Sequence, residues 1–585
     1  MPTESFFTQS SLAYIASAGA SKDGKAYSIK PADGTGDFTF SRGSNLAATR
    51  VGAGPNFYIE KGRENLLLQS NQFDTTWTTS NSSVTSGQSG YDGSSDAWLL
   101  ENVSGAGAFV KQDKSVNGLQ TASVYAKSGN VDFVYFRLGG SSSRGLFVDL
   151  SNGTLSSTFG TLIDYNIDSV GNGWYRISVT YQVNLTNTRI YASASGGTST
   201  SLGDNILIQD AQVEVGLAAT EVIETTTTTG TAGILEDTPR FDYSGMVTCP
   251  SLLLEPLRTN LFPNSEYFSS WQVFRGSLTA NSISSPEGVV NAYRYEENSD
   301  TGQHFVRFQS ISMTSGTDYT ASVFVKAGEL TYIVLGSNSA SLWNPSTTTF
   351  NLSTGSVTSG GGTIEPIGND GWYRCIISGE CLTTTSSAGL EITTSGGAGS
   401  TGDGLYIYGA QLEQGAYPTS YIPTYGTSVT RAADSCNGAG NANTFNSTEG
   451  VLYAEFSGLV NAEDYRIISL NAGDSANSIF IGIRNDTGNV YMYMPLDGTS
   501  YISSVNATNT NVKVALKYKT NDVSFYINGV KVFSDSSVTL PVGLSKLDFN
   551  YGNVSNSYPF YGNVKQLLVF NTALSDADLA TLTTI

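Results

Sequence analysis

Two short stretches hold residue types suited to chemistry. Gly171-Asn172-Gly173-Trp174-Tyr175-Arg176 and Gly368-Asn369-Asp370-Gly371-Trp372-Tyr373-Arg374 each set an indole two residues from a guanidinium. An indole can stack on a sugar ring, and a guanidinium can fork onto a carboxylate or phosphate. The same types also serve packing. Large aromatics supply much of the burial in a small sandwich, and a long Arg side chain covers a neighbouring strand or pairs with an acid. Both stretches lie in strand-like runs, so Trp174, Arg176, Trp372 and Arg374 are expected as structural motif residues. A third stretch, Val490-Tyr491-Met492-Tyr493-Met494, puts Tyr491 and Tyr493 on one strand face and Met492 and Met494 on the other. One pair belongs in a core. Tyr491 and Tyr493 are the candidate ligand-binding residues, as a sugar platform; the alternative is an ordinary exposed sheet face.

Other chemistries find less support. The single histidine, His304, excludes multi-histidine zinc sites and leaves little room for histidine-based triads. Cys249, Cys375, Cys381 and Cys436 form no CxxC pair and are expected to be reduced. Asn369-Asp370, Asp403, Asp474 and Asp497 offer loop oxygens of the kind calcium takes, without the dense spacing of a loop site. Turn formation accounts for them. No metal ligand and no cofactor is assigned, with structural calcium left open. Gly360-Gly361-Gly362 lacks the Lys-Ser/Thr and the helix of a phosphate cradle. A glycosidase needs two placed carboxylates. With 50 acids, some close pair arises by chance, and no pattern selects one, so no catalytic residue is assigned.

The elements that must position these residues are short strands. Charged residues make up 14% of the 585, while Gly, Ser, Thr, Asn and Tyr are abundant. That mix suits strands joined by polar turns. It also argues for several domains rather than one core. The Gly-Trp-Tyr-Arg stretches belong to a larger repeat. Asn65-Leu66 with Ser70, Phe73 and Trp77 returns as Asn260-Leu261 with Ser265, Phe268 and Trp271. Ala122 to Lys127 returns as Ala321 to Lys326, and Ala211-Gln212 with Glu214 returns as Ala410-Gln411 with Glu413. This spacing is the length of a whole domain, not of a solenoid repeat.

The expected fold class is all-β: three β-sandwich, jelly-roll domains in tandem, the first two a duplication, preceded by an irregular N-terminal arm. The arm, expected to help attach the chain to a larger assembly, spans 1–62, module one 63–224, a linker 225–258, module two 259–425, a second linker 426–444 and a third sandwich 445–585. Asn528-Gly529 predicts a hairpin turn, and Ser575 predicts the cap of a short helix over 577–582. Phe38, Phe40, Phe57 and Tyr58 in the arm need a partner surface.

The net charge of −20 disfavours nucleic acid and anionic lipid as partners. No apolar run approaches the ~20 residues of a spanning helix, so no membrane insertion is expected. Met1 to Ala20 reads poorly as a signal peptide.

Leu252-Leu253-Leu254-Glu255-Pro256 through Arg258-Thr259-Asn260-Leu261, Asn264-Ser265, Phe268 and Trp271 resembles a module opening of bacteriophage structural proteins. The stretches Gly371 to Arg374 and Ala410 to Glu413 fit that pattern. Module one departs from it, with Lys61-Gly62-Arg63-Glu64 in place of the Leu-Glu-Pro run. Residues 450–585 resemble a laminin-G/concanavalin A-like lectin domain through Val512 to Tyr518, Phe525 to Gly529 and Phe560 to Val564. The resemblance implies a tail- or head-fibre-like virion protein, not an enzyme, assembled in the host cytoplasm. Its expected partners are other virion proteins and host-surface glycans. A homo-oligomer, most simply a trimer, is expected by analogy with phage fibres. The alternative is a secreted bacterial carbohydrate-binding adhesin, and after it a glycan-cleaving enzyme.

Overall fold

Apolar-alternating runs separated by Gly- and Asn-rich turns fold into antiparallel β-sandwiches in the computed structural model of the chain. The structure describes residues 5–18, 21–22, 24–43, 48–49, 59–105, 107–140, 143–182, 184–194, 201–233, 236–243, 250–337, 343–344, 346–395, 399–459, 465–552 and 557–585. Phe57, Tyr58 and Cys249 lie outside these residues.

Module one is two six-stranded sheets face to face. The first runs in the order Asp164–Gly171, Trp174–Gln182, Leu119–Ser128, Asn205–Val215, Ala97–Asn102, Ser82–Gln88. The second runs Thr154–Phe159, Arg144–Asp149, Phe133–Gly140, Leu185–Ser193, Phe109–Val116, Thr78–Ser80. Module two repeats both orders. Its first sheet is Thr363–Ile367, Trp372–Cys381, Asp318–Ala327, Gly404–Gln414, Val290–Glu297, Gly276–Ser284, with Trp343–Asn344 pairing beside Thr363–Ile367 on the Trp372–Cys381 strand. Its second is Ser356–Ser359, Thr347–Asn351, Tyr332–Ser337, Thr385–Ser395, His304–Met313, Gln272–Phe274. Even a bulge is shared. Register slips between Ser123 and Tyr125 against Gln212 and Gln209, and between Ser322 and Phe324 against Gln411 and Tyr408. The bulged strand carries Asp210 at φ 47° in one copy and Gly409 at φ 52° in the other. The duplication read from the sequence is therefore a duplication of topology and register.

The third sandwich packs the sheet Thr499–Asn506, Asn489–Met494, Ser478–Ile483, Arg466–Asn471, Lys546–Asp548 against a larger one. In the larger sheet Gly562–Phe570, Glu449–Gly458, Val512–Lys519, Val523–Ile527 and Val530–Asp535 are neighbours in that order. Asn528 at φ 50° and Gly529 at φ 83° make the tight hairpin turn expected of that dipeptide. The helix Asp576–Thr583 is capped by Ser575, whose side chain accepts from the Asp578 N–H.

The expected division into arm, modules and linkers needs correction at its seams. Residues expected as an irregular N-terminal arm belong to the third sandwich. Leu12–Ile15 pairs with Gly562–Phe570, and Phe38–Ser41 pairs with Ser435–Asn437. Leu12, Tyr14, Phe38 and Phe40 are buried in that sandwich's core. The aromatics Phe38 and Phe40 thus find their partner surface within the chain, because burying them relieves the cost of exposed apolar area. Both expected linkers also supply strands. Arg240–Asp242 and Ser251–Leu254 extend the sheet of the third sandwich, and Val429–Arg431 pairs with Arg258–Asn260 of module two.

Two buried charge clusters lock these seams. Lys61 and Arg63, the departure from the repeated opening, pair with Glu266 and Glu287 of module two. Lys61 also donates to the Tyr425 hydroxyl at 3.0 Å. Arg240 pairs with Glu255 and Asp434, and Arg431 with Glu255. Truncating one member of such a cluster leaves its partner charged in low dielectric. Leu119 and Leu217 of module one meanwhile join the core of module two.

Candidate functional site

The strand Asn489–Met494 alternates as its sequence demands. Met492 and Met494 are fully buried between the sheets of the third sandwich. Tyr491 and Tyr493 take the opposite face. Register places Gly482 opposite Tyr491 and Phe480 opposite Tyr493. On the other side Ile502 stands opposite Tyr491, and Ser500 opposite Tyr493. Gly482 brings no side chain to this face and packs closely on the adjacent strand, where a methyl would lie 2.1 Å from the Arg466 carbonyl oxygen.

Around Gly482 the fold gathers aromatics from separate segments. Tyr465, at the start of the Arg466–Asn471 strand, meets Tyr491 edge to face at 5.3 Å. Tyr465 also meets Tyr558 at 5.8 Å. Tyr551 stacks on Phe480 at 4.6 Å and meets Tyr558 at 5.5 Å. With Ile467, Arg484, Ser500 and Ile502 these tyrosines line a hollow of about 320 Å³. Tyr491 is buried, Tyr465 and Tyr493 are half-buried, and Tyr558 is exposed. Arg484 forks onto Asp486 at 2.8 and 2.6 Å, and that bond holds its charge. Burial, then the neighbouring Tyr465 and Tyr551, push the Tyr491 hydroxyl well above its ordinary pKa, so it remains a neutral O–H. No Asp or Glu is among the described residues lining the hollow. Rings for stacking, hydroxyls and a guanidinium suit the binding of an uncharged polyol face, without the carboxylate pair of glycoside hydrolysis.

The other sequence candidates have structural places. Trp174 is buried beside Ala97 and Tyr125. Trp372 is buried with Phe324, Tyr408 and Tyr421 and donates its indole N–H to the Ser284 carbonyl at 3.2 Å. Arg374 donates to Ser322 Oγ at 3.0 Å and to the Thr419 carbonyl at 2.8 Å. Arg176 makes the equivalent bonds to Ser123 Oγ and the Thr220 carbonyl. Both arginines therefore clamp the tail of their own module to its sheet. His304 is buried, its ring nitrogens 2.9 and 3.3 Å from the Gly302 and Asn298 carbonyls. Asp474 accepts from the Ala476 and Asn477 N–H groups, and Asp497 from those of Thr499 and Thr539. They shape turns. Among the described residues, no group of three or more His, Cys, Asp and Glu is placed to hold a metal ion.

Sequence reasoning named Tyr491 and Tyr493 as candidates but did not name Tyr465, Arg484, Tyr551 or Tyr558, which line the same hollow. Tyr551 and Tyr558 come from a loop about 60 positions further on. Their only sequence signal is tyrosine abundance, which the chain shows throughout. The polar clamp of each module was legible only as repeated letters. Asn65 Nδ2 donates to the Ala211 and Ile223 carbonyls, and Asn260 Nδ2 to those of Ala410 and Ile422. Gln212 and Gln411 accept the Ile223 and Ile422 N–H groups, each at 2.7 Å.

Residues 457–580, which include the hollow, match the family model described as the concanavalin A-like lectin/glucanases superfamily. Among curated proteins none matches. Three solved structures are similar in part. A sialidase carbohydrate-binding module (CBM40) of Ruminococcus gnavus, bound to α2,3-sialyllactose, is 19% identical over 25% of this chain and 88% of its own, with a TM-score of 0.22. Domain 4 of AbnA, a GH43 extracellular arabinanase of Geobacillus stearothermophilus in complex with arabinotriose, is 15% identical over 26% of this chain and 73% of its own, with a TM-score of 0.21. The LG1-3 region of the laminin α2 chain is 12% identical over 81% of this chain and 97% of its own, with a TM-score of 0.18.

Proposed function

We propose that this chain is a non-enzymatic structural protein of a bacteriophage virion that binds host-surface glycans through the tyrosine-lined hollow of its third sandwich. The observation that carries the glycan reading is the convergence of Tyr465, Tyr491, Tyr493, Tyr551 and Tyr558 on one hollow, in a region matching a lectin-like family. Aromatic faces stack on the C–H faces of sugars, and the hydroxyls and Arg484 supply oriented hydrogen bonds. The virion reading rests on the resemblance of the module openings to phage structural proteins, a resemblance of sequence pattern. In this reading modules one and two space the binding domain and contact neighbouring virion subunits. The chain forms a homo-oligomer, most simply a trimer, because shallow single sites gain about 10²–10⁴ in avidity when linked. The reading calls for no cofactor. Because Phe38 and Phe40 are buried within the chain, they give no support to an arm that attaches to another subunit.

A glycan array, paired with a hydrolysis assay on the glycans bound, tests the proposal. Binding without turnover, weakened about tenfold in Tyr493→Ala, is the expected result. Turnover, or the absence of glycan binding, overturns it. Electron microscopy of the particle carrying the protein tests the virion assignment, and light scattering of the full chain tests the oligomer.

A further inference from the structure

The second sheet of module one carries two unusual rows on its outer face. Phe109, Tyr191, Tyr135 and Phe147 stand directly opposite one another across four strands. One step along, Lys111, Arg189 and Arg137 form a second row, which continues through Gly145 to Phe159. The aromatic row is packed ring on ring. Tyr135 stacks on Phe147 at 4.0 Å and meets Tyr191 at 5.1 Å, and Phe109 meets Tyr191 at 4.9 Å. Tyr135, Phe147 and Tyr191 are buried, whereas Phe109, Lys111, Arg137 and Arg189 are half-buried and Phe159 is 50% exposed.

Among the described residues, only one of the three cations meets an acid. Lys111 takes the exposed carboxylate of Asp113. Among the described residues Arg137 donates only to Ser143 Oγ at 2.8 Å and the Tyr191 hydroxyl at 3.3 Å. Its Nε is buried without a hydrogen-bond partner. Arg189 donates to Asn187 Oδ1 at 2.9 Å and to the same Tyr191 hydroxyl at 3.5 Å, and lies over the Phe109 ring. Like charges directly opposite across strands are destabilising. This row stands in a chain whose net charge is −20, where acids to pair with are plentiful.

The duplicate serves as an internal control. In module two the register-equivalent positions of Lys111, Arg189 and Arg137 are Arg307, Glu391 and Gly336. There Arg307 pairs with Glu391 at 3.3 Å. The places of Tyr191, Tyr135 and Phe147 are held by Thr393, Val334 and Thr349. The same topology is thus built without the cation row or the aromatic floor. Neither is a requirement of the fold.

We propose that this face of module one is a second binding site, one for a carboxylated sugar residue. The guanidinium fork matches a carboxylate, and Arg137 and Arg189 are held side by side by one shared hydroxyl. Gly145 brings no side chain between Arg137 and Phe159 in this row, and the exposed Phe159 ring at its end offers a face on which the apolar side of a pyranose can stack. The site is separate from the tyrosine hollow and stands whether or not that hollow binds glycans.

The test uses the full chain and a panel of oligosaccharides carrying uronate or other carboxylated sugars, each with its counterpart in which the carboxylates are reduced to alcohols. Arg137→Gln with Arg189→Gln is expected to weaken binding of the acidic oligosaccharides at least tenfold, with the melting temperature unchanged or raised because cross-strand repulsion is relieved. Tyr491→Ala with Tyr493→Ala is expected to leave that binding intact. The proposal is overturned if no acidic oligosaccharide binds, if the reduced counterparts bind equally well, or if the arginine variant binds like the native chain. It is also overturned if the tyrosine variant is the one that loses acidic binding. A lowered melting temperature with unchanged binding assigns the row a purely structural role.

Discussion

The Ser11 hydroxyl donates a hydrogen bond to the carbonyl of Val569, 558 positions further along the chain. The pairing continues from Leu12 opposite Val569 to Ile15 opposite Gln566. The opening segment of the chain therefore completes the sheet of its last domain. In sequence order modules one and two lie between segments that this sandwich joins in one core, so the opening segment and the third domain form one folding unit.

Phe40 tests that unit. Its ring is 1% exposed in the third sandwich's core. Phe40→Ala is expected to cost about 3–5 kcal/mol. Hydrogen exchange along Val512–Lys519 during denaturant unfolding reads the loss where it occurs. Unchanged exchange there would show that the opening segment is not part of this core.

Acid should open the seam at Glu255. Burial opposes its ionisation, but the Arg240 and Arg431 guanidiniums prevail and hold its carboxyl at about 2, down from 4.5. A depressed carboxyl stabilises the fold fully above its unfolded pKa. That contribution, roughly 3 kcal/mol, is lost as pH falls from about 4.5 to about 2. Glu255→Gln should flatten this limb of the pH–stability curve and cost about 3–5 kcal/mol at neutral pH, because buried guanidiniums lose their partner. Equal acid limbs in the two proteins would refute the assignment.

Asp210 carries the opposite sign. Burial first, and then nearby acids, raise its carboxyl to about 6 although Tyr91 donates to it. A raised carboxyl favours folding below the unfolded value of 3.8, and this advantage disappears as pH climbs through about 6. Asp210→Asn keeps an acceptor for Tyr91 and tolerates the positive φ at this bulge. It should stabilise module one at neutral pH by roughly 1–3 kcal/mol. A destabilised variant at pH 8, measured by denaturation, would contradict this.

The tyrosine hollow separates binding from packing. Tyr493 is half-buried and Tyr491 is 7% exposed. Tyr493→Ala should weaken glycan binding about tenfold while costing little stability, since its ring rims the hollow. Tyr491→Ala should weaken binding and also destabilise the domain by about 3 kcal/mol. Calorimetric titration beside thermal melting distinguishes the two; matched stability losses with intact binding would reduce the hollow to packing.

Asn65 and Asn260 should behave as one residue measured twice. Each side-chain oxygen accepts two backbone N–H groups, those of Leu67 and Val213 in one module and Phe262 and Leu412 in the other. Replacing either with Ala leaves buried donors and acceptors unpaired and should cost at least about 2 kcal/mol. Very different costs would show that the two clamps are not equivalent.

The sequence by itself determined the local and the repeated. Period-two alternation placed Met492 and Met494 on one strand face and Tyr491 and Tyr493 on the other, because a strand leaves no third choice. The Asn528-Gly529 turn and the Ser575 cap follow from residues whose backbone and side-chain preferences act over a few positions. Repeated letters such as Asn65 and Asn260 revealed the duplication because equal polar clamps need equal residues. Only the tertiary structure decided what stands across from what. Leu12 reaches Val569, Tyr465 reaches Tyr558, and Lys111, Arg189 and Arg137 fall into one row through pairings between strands distant in sequence. Such pairings depend on sheet order and register, which are set by the summed burial of whole faces rather than by any local preference. For that reason the opening segment read as a loose arm, and the cation row could not be seen until its three strands lay side by side.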